Sequence, residues 1–487
     1  MKIKQWVSVV ALISTMSFVI GCTPLASKPT GEDSTVSQST NTSGTESNTS
    51  VAISTDTTLY DETQTTSSGT SGATSSQAGT SSVPGSGTAT MGSQANGSSS
   101  TTNRVTATTT VTGKPTTVKP TTKPPAPAGK EMCGVWISYI ELNELFKNKT
   151  VSQAKAVIDT MMKNCASYGV NTVFFHVRSH SNAYYKSSVF KPAWSVSNLI
   201  KQGFDPLKYA IESAHKREIK LHAWVNPYRI GTDKSYQIAN TDSFSYSGSW
   251  YYVPTSIRSQ RVILDGIREI FNNYAVDGVQ FDDYFYPNGS VSSTSVASFE
   301  KADYDAYKKS GGKLSVADWR RSNVDALVSH VYSITHEKSN RVFGISPEYD
   351  IDKNRDKKYA DLKKWLSKPG YVDYMCPQIY FGFKNQAAPF AQTVDEWLSY
   401  PRHASVDITV GLALHKTGLS SDQYAGTSGK TEWKDNSDIM KRQVQYLRSK
   451  SACKGMVFFS YGYFDASYKR DNPSVAAKEI QNLLSVL

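Results

Sequence analysis

Hydrophobic and polar positions follow two alternating patterns from residue 131 to residue 487. Short apolar runs rich in β-branched and aromatic residues are typical of buried strands, and apolar residues at three-and-four spacing are typical of helices. The first pattern predicts eight strands, at residues 133–139, 172–178, 220–226, 278–284, 341–347, 371–380, 408–415 and 455–461. The second pattern predicts helices at residues 152–168, 206–218, 256–274, 318–338, 437–450 and 475–487.

Strands that alternate with helices indicate parallel β-α-β units, and eight such units predict an α/β fold of the (β/α)8 TIM-barrel type. Within the helices, Pro206 suits a first turn and Ser437 suits an N-cap. Four of the connections that follow strands are long, at residues 227–255, 285–317, 381–393 and 416–436. TIM barrels build their sites from the loops at the C-terminal ends of the strands, so we expect the function there.

Residues 1–22 have the pattern of a lipoprotein signal peptide. Lys2 and Lys4 precede an apolar run at residues 6–20, and Gly21 and Cys22 follow, which resembles a bacterial lipobox. The cysteine of such a signal carries lipid after cleavage, so we expect an extracellular protein that Cys22 anchors to the cell membrane. The alternative is an ordinary signal peptide or an uncleaved anchor in which Cys22 is incidental.

Residues 23–130 differ in composition from the rest of the chain. They are mostly Ser, Thr and Gly, with Pro concentrated at residues 115–127. So little apolar surface cannot offset the entropy of folding, which predicts a disordered linker. A flexible segment of this length spans roughly 50–60 Å, enough to lift a barrel at residues 131–487 off the membrane.

The net charge of +11 lies almost entirely on the predicted barrel. Residues 1–129 hold seven basic and six acidic residues, which leaves +10 for residues 130–487. A basic domain suits an anionic wall polymer or lipid headgroups, although surface charge that only maintains solubility is the commoner explanation. The sequence carries no nucleic-acid-binding motif, so we expect no nucleic-acid partner.

The fourth predicted strand ends in two adjacent carboxylates, Asp282 and Asp283. Buried charges are disfavoured unless they are paired, and alternation along a strand would send only one of the two into the barrel mouth. Pairing of one carboxylate with Arg178, or capping of a loop, is the structural alternative. Glycoside hydrolysis usually needs an acid and a second carboxylate, and Glu348 on the next strand could be the partner. Asp282, Asp283 and Glu348 are therefore the catalytic candidates, with the acid unassigned and both the retaining and the inverting outcome open.

Polar and aromatic side chains at other strand ends converge on the same mouth. Amide, guanidinium, imidazole and phenol groups bind hydroxyls, and aromatic rings stack on the C–H faces of sugars. The candidate substrate-binding residues are His176, Arg178, Trp224, Asn226, Tyr228, Tyr284, Tyr286, Gln378 and Tyr380. Packing within the loops is the alternative for each single ring, and it also applies to Tyr246, Trp250, Tyr251, Tyr252 and Phe285.

These segments resemble the glycosyl-hydrolase-like family 10 proteins, a bacterial group of TIM-barrel glycosidases. The resemblance is carried by residues 134–137, 169–173, 221–229, 277–287, 344–347, 372–374 and 377–380. It implies activity on glycan chains, with peptidoglycan-type glycans as the leading candidate. It also implies site roles for six residues: Arg178, Asn226, Asp282, Asp283, Gln378 and Tyr380.

The chain departs from the family pattern at two positions. Ser179 stands where the family usually has Pro, and Glu348 stands where it has a small residue. The resemblance therefore implies no role for Glu348. Strand 4 is also distantly similar to the acidic motif of family 18 glycoside hydrolases, but Tyr284 replaces the terminal Glu, which argues against a substrate-assisted mechanism.

Four cysteines lie in the predicted barrel, and they lack the spacing of a zinc site, so we expect no metal and no cofactor. Cys133 and Cys453 fall near neighbouring strands, and a disulfide at the barrel seam is one expectation, beside free core thiols for all four. The leading hypothesis is a monomeric, lipid-anchored glycoside hydrolase whose partners are a polysaccharide and the membrane. The alternative is a non-catalytic carbohydrate-binding barrel, and a deacetylase is a third, weaker hypothesis.

Overall fold

A computed structural model describes residues 131–487. The predicted signal peptide at residues 1–22, with Cys22, and the predicted linker at residues 23–130 lie outside the described residues. In the described part of the chain, no helix combines the length and the apolar character that crossing a membrane requires.

Eight parallel strands form a closed barrel, which confirms the predicted TIM-barrel fold. The strands are β1 (Met132–Ile137), β2 (Thr172–Arg178), β3 (Lys220–Val225), β4 (Gly278–Phe281), β5 (Val342–Ile345), β6 (Tyr374–Met375), β7 (Asp407–Leu412) and β8 (Cys453–Phe459). Each strand pairs with its sequence neighbours, and β1 closes the barrel against both β2 and β8. Each of the eight strands overlaps its predicted run.

Several strands are shorter than their apolar runs. β6 covers two residues of the predicted 371–380, because Pro377 has no N–H to donate and interrupts the ladder. The chain nevertheless continues along the barrel, and Gln378 forms single bridges to Glu348 and Gly411. β4 ends at Phe281, so its two carboxylates follow the strand instead of lying within it.

Helices surround the barrel: α1 (Tyr139–Phe146), α2 (Val151–Ser167), α3 (Trp194–Lys201), α4 (Pro206–His215), α5 (Ile257–Asn273), α6 (Lys301–Lys309), α7 (Val316–Thr335), α8 (Ile351–Lys357), α9 (Leu362–Ser367), α10 (Phe390–Ser399), α11 (Gly426–Gly429), α12 (Glu432–Asp435), α13 (Ile439–Arg448) and α14 (Pro473–Leu484). Pro206 stands in the first turn of α4, as predicted, and Asp205 caps that helix. The prediction for Ser437 is wrong: the N-cap of α13 is Asp438, and the Ser437 carbonyl accepts a bond from Asn482.

The long βα loops carry structure of their own. The loop after β3 folds into a three-stranded antiparallel ribbon, made of Arg229–Gly231, Ser243–Tyr246 and Ser249–Tyr252. The loop after β4 contains α6, and the loop after β7 contains α11 and α12. These insertions lie at the C-terminal ends of the strands, where the sequence placed the site.

Side chains fill the barrel interior and bond to one another. Trp136 donates to Gln280 Oε1 over 2.6 Å, and Gln280 Nε2 donates to the Tyr374 hydroxyl over 3.4 Å. The Tyr374 hydroxyl in turn lies 3.0 Å from His222 Nδ1. A Cβ on Gly344 would overlap the Tyr374 ring, so glycine at this position leaves room for the network.

The four cysteines at residues 133–487 are free thiols, so the disulfide expected between Cys133 and Cys453 is not present. Cys133 pairs with Met456 across the seam, whereas Cys453 pairs with Ile408 of β7. A strand rises about 3.3 Å per residue, so three residues of offset separate the two thiols by roughly 10 Å along the strand. A disulfide requires much closer Cα atoms.

Candidate active site

Asp282 lies at the end of β4 in an apolar part of the barrel mouth. Its side chain is 4% exposed, and it accepts bonds from Trp224 Nε1 over 3.1 Å and from the Tyr284 amide over 3.2 Å. Within residues 131–487, no basic nitrogen lies within 4.0 Å of its oxygens. Burial, with the nearby charge of Asp283 as the second cause, raises the pKa of Asp282 well above its usual range.

Asp283 lies beside Asp282 but in a different electrostatic setting. Its Oδ2 forms an ion pair with Lys358 Nζ at 2.6 Å, and Gln378 Nε2 lies 3.5 Å from Oδ1. Side chains alternate between the two faces of β4 only as far as Phe281, where the strand ends. Beyond that residue the backbone turns, with the Phe285 amide bonded to the Asp283 carbonyl at 3.0 Å. The two carboxylates are close enough for the charge of Asp283 to raise the pKa of Asp282.

Glu348 also lies at the mouth, but lysines engage both of its oxygens. Lys353 Nζ lies 2.5 Å from Oε1 and Lys358 Nζ lies 3.1 Å from Oε2, and the side chain is 2% exposed. The four side chains Asp283, Lys358, Glu348 and Lys353 therefore form a row of alternating charges, which we call the charge row. Burial alone would lower the pKa of Lys358, but the charges of Asp283 and Glu348 outweigh that effect and raise it.

His176 is a neutral side chain that supports Trp224. The two rings stack with centroids 3.6 Å apart. His176 Nδ1 accepts a bond from the Tyr139 amide, so Nε2 carries the proton and donates to Asn226 Oδ1 over 2.9 Å. Burial lowers the pKa of His176 well below its usual value. His176 and Asn226, both predicted to bind substrate, are thus 1% exposed and bonded to each other.

Arg178 is turned toward the protein backbone. One terminal nitrogen donates to the carbonyls of Asn226 and Pro227, each at 2.7 Å, and the residue is 2% exposed. Burial lowers the pKa of Arg178 to about 10. Arg178 therefore holds the start of the loop after β3. It forms no ion pair with Asp282 or Asp283, which was the structural alternative for the two acids.

Tyr228 and Tyr286, both predicted to bind substrate, are buried side chains in this structure. Tyr228 is fully buried, and Tyr286 is 1% exposed with its hydroxyl donating to Glu300 Oε2 over 3.0 Å. Rings that contact only protein atoms have no face left for a sugar. Tyr252 and Phe285 are likewise fully buried, so packing explains these loop rings.

Other predicted residues do lie together at the mouth. Gln378 donates to the Ser346 carbonyl over 3.0 Å, between Asp283 and β5. The Tyr380 ring lies 5.7 Å from the Phe459 ring, which is itself 6.5 Å from the Trp224 ring. Phe459, at the end of β8, is half-buried at the centre of these rings and was not predicted. Only its place at a strand end could have indicated it.

Tyr284 is half-buried below an arginine that was also not predicted. The guanidinium carbon of Arg229 lies 5.0 Å from the centre of the Tyr284 ring. Arg229 directly follows the predicted loop residue Tyr228, so its position after β3 was a usable signal. Within residues 131–487, no group of three His, Cys, Asp or Glu side chains is arranged to hold a metal.

The amino-acid sequence matches the family described as "Glycosyl hydrolase-like 10" over residues 131–426. The chain belongs to this family. It is 28% identical to "Glycosyl hydrolase DigH" of Escherichia coli K12, over 71% of this chain and 87% of that protein. It is also 28% identical to "Glycosyl hydrolase YngK" of Bacillus subtilis, over 69% of each chain. The glycoside hydrolase domain of PgaB from Bordetella bronchiseptica aligns with a TM-score of 0.47 at 13% identity, over 73% of this chain and 99% of that one.

In this glycosyl hydrolase-like 10 protein, two neighbouring carboxylates at one strand end have opposite surroundings. Asp282 has no cation in contact and favours its protonated form, whereas Asp283 has an ammonium group 2.6 Å away. A pair of acids whose environments differ in this way can supply one proton donor and one carboxylate at the same pH. The sequence could name both aspartates, but it could not assign these two states.

Proposed function

We propose that the barrel is a glycoside hydrolase that cleaves O-glycosidic bonds in a polysaccharide, with a peptidoglycan-type or other cell-envelope glycan as the leading substrate. The observation that supports it most is Asp282, a buried acid with a raised pKa at the end of β4, beside the Asp283 carboxylate that contacts Lys358. Membership of a glycosyl hydrolase-like family supports the reaction class.

In this proposal Asp282 is the general acid and Asp283 is the second carboxylate. Asp282 gives its proton to the glycosidic oxygen, the bond to the anomeric carbon breaks, and the leaving sugar departs with a hydroxyl. A water molecule attacks the anomeric carbon and loses a proton, which returns to the carboxylate pair. Trp224 supports the acid, because its indole bond to Asp282 holds the carboxyl in place.

The rings around Phe459 would form the wall against which a sugar packs. Phe459 lies 6.5 Å from the Trp224 ring and 5.7 Å from the Tyr380 ring, so the wall adjoins Asp282. Apolar ring faces bind the C–H face of a pyranose, while its hydroxyls need polar partners such as Gln378. This composition favours a carbohydrate over a purely apolar ligand.

We also propose that the protein is exported and anchored to the membrane through Cys22. The support is the sequence pattern of residues 1–22 and the Ser/Thr-rich segment that follows it. A tethered hydrolase would reach glycan at a distance from the membrane, which agrees with an envelope substrate.

One observation supports the alternative function, a non-catalytic carbohydrate-binding barrel. Lysines engage both Asp283 and Glu348, and an ion-paired carboxylate is less available as a nucleophile or base. The two functions make different predictions for product formation, because a binding protein would hold glycan without generating new reducing ends.

The test is digestion of purified glycan strands by the full chain, measured as new reducing ends. Asp282→Asn should lower the rate about 100-fold or more, since positioned acid catalysis contributes that much. Asp283→Asn should also lose activity, whereas Asp265→Asn on the surface of α5 should keep it. Binding without product in the wild type would support the carbohydrate-binding alternative, and full turnover by both site variants would rule out the proposed acid pair.

A further inference from the structure

Arg229 is a cation in the mouth whose hydrogen-bonding capacity is unused by the protein. Its guanidinium lies over the Tyr284 ring, and its buried Nε has no hydrogen-bond partner. Among residues 131–487, no side chain or carbonyl accepts a bond from its terminal nitrogens, and no carboxylate oxygen lies within 4.0 Å. A guanidinium presents five donors, and leaving them unmet in a partly buried site is costly.

The surroundings of Arg229 do not neutralise its charge. Asp282 acts on Arg229 electrostatically, but burial raises the pKa of Asp282 well above its usual range and so favours its uncharged form. The Tyr284 ring faces the guanidinium, and Tyr251 pairs with Arg229 across the ribbon. Arg178 stands on the same side of the mouth, and its buried Nη1 also lacks a partner.

The imidazoles on this side are held neutral and so add no competing charge. Burial, followed by the charge of Arg229, lowers the pKa of His180 well below its usual value. Burial also lowers the pKa of His176, and there too Arg229 contributes. The β2–β3 side of the mouth is therefore electropositive, whereas on the β5 side the charge row balances its acids with lysines.

The backbone fixes the position of Arg229 before any ligand arrives. Arg229 begins the ribbon and pairs with Tyr251 on the neighbouring strand. On either side of it, the Tyr228 carbonyl accepts from the Tyr252 amide over 2.8 Å and the Ile230 carbonyl accepts from the Ser181 amide over 3.0 Å. A cation held in this way loses little freedom when it binds, which favours its use in recognition.

We propose that Arg229 binds a carboxylate carried by the sugar unit that occupies the mouth next to Asp282, so that the substrate is an acidic glycan. The inference rests on the proposed function and narrows its substrate class. A planar guanidinium matches a carboxylate through two parallel hydrogen bonds, a geometry that a hydroxyl cannot provide. The Tyr284 ring below Arg229 supports the plane of the fork from one side.

The experiment compares two forms of one glycan: strands with free carboxylates, and the same strands after chemical reduction of those carboxylates to alcohols. Affinity is measured by calorimetry with the full chain carrying Asp282→Asn, which places a neutral side chain at the acid position and slows turnover. This protein should bind the carboxylate form about 10- to 100-fold more tightly than the reduced form. Adding Arg229→Met should remove that preference, because it should lower the affinity for the carboxylate form alone.

Two further variants separate recognition from folding and from general charge. Arg229→Lys keeps the charge but loses the fork, so it should retain only part of the preference. Arg261→Met on the outer surface of α5 removes the same charge and should leave the preference intact. Two results would overturn the proposal. One is equal affinity for both glycans when Arg229 is present, and the other is an equal loss of affinity for both glycans in Arg229→Met. Binding does not require hydrolysis, so an inactive wild type that still prefers the carboxylate form would contradict the hydrolase proposal alone.

Discussion

At the scale of single residues, the state of the β4 acids depends on their neighbours more than on their own chemistry. Asp282 is surrounded by an indole, a backbone amide and apolar rings, and its pKa rises. Asp283, one residue later, contacts Lys358. The distinction comes from a lysine that lies 75 residues further along the chain, so no local motif could have revealed it.

Lys358→Met should lower hydrolysis at neutral pH by about 10-fold or more. Without its ammonium partner, Asp283 would be a buried, unpaired charge beside Glu348, and such groups take up a proton instead of remaining charged. Activity should partly recover as the pH is raised, because alkaline conditions restore the carboxylate. The measurement is kcat/KM against pH for the full chain, compared with Lys358→Arg, which should keep most of the wild-type profile.

Lys353→Met is the matched control for that variant. Lys353 contacts Oε1 of Glu348, whereas Lys358 contacts both Asp283 and Glu348, so removal of Lys353 should change the pH profile much less. If both lysine variants lowered activity without moving the profile, the charge row would serve only to support the structure.

The sequence indicated which residue types stand at the strand ends, but it could not indicate which of them face substrate. Asp282, Trp224, Gln378 and Tyr380 do lie at the mouth, since strand ends converge there whatever the loops do. Tyr228 and Tyr286 pack away from it, because the conformation of their loops depends on distant contacts. Arg229 and Phe459 were not predicted, although each stands at or just after the end of a strand, because that position was the only signal either residue carried.

At the scale of elements, a buried arginine organises the long loop after β4. Arg320 on α7 donates to Glu300 Oε1 over 2.8 Å, to the Ser295 carbonyl over 3.0 Å and to the Tyr359 hydroxyl over 3.0 Å. Arg320 and Glu300 are both fully buried. Because Tyr359 directly follows Lys358, this cluster also supports the segment that carries the charge row.

Arg320→Met should lower the free energy of unfolding by about 3–5 kcal/mol, because it leaves the Glu300 carboxylate buried without a cation. The combined variant Arg320→Met with Glu300→Gln should recover part of that loss. The measurement is urea unfolding, with protease cleavage between residues 288 and 298 as a local readout. Arg268→Met, which breaks the exposed pair with Asp265 on α5, should cost less than about 1 kcal/mol, and an equal loss from both arginine variants would contradict a special role for Arg320.

The elements themselves were predictable because burial imposes a regular pattern. Strand β2 matches its predicted run residue for residue, and all of its residues are buried, as expected for a strand covered on both faces. Strand ends were less predictable, as at β4 and β6, where the predicted runs extend past the last residue of the strand. The N-cap of α13 was misplaced by one residue because Ser and Asp stand side by side and either can cap.

At the scale of the whole molecule, the barrel interior is polar enough to make folding depend on pH. Burial lowers the pKa of His222 to about 4 and that of His415 to about 3. In the unfolded chain both imidazoles titrate near 6.5. A base whose pKa is lower in the folded state stabilises the fold above pH 6.5, and that stability is lost as the pH falls toward the folded value.

The contribution of His222 to the free energy of unfolding should therefore fall by on the order of 3 kcal/mol between pH 6.5 and pH 4. His222→Asn should remove this loss of stability, because an Asn side chain does not titrate. Its oxygen can still accept a hydrogen bond from the Tyr374 hydroxyl. Burial raises the pKa of Glu479 to about 7, so Glu479 changes the free energy of unfolding with pH in the opposite direction. The test therefore compares the unfolding curves of the variant and the wild type with each other. His330→Asn on the exposed face of α7 is the control, and its unfolding curves should run parallel to those of the wild type. If His222→Asn also runs parallel across this range, the interior imidazole is not the group that destabilises the barrel in acid.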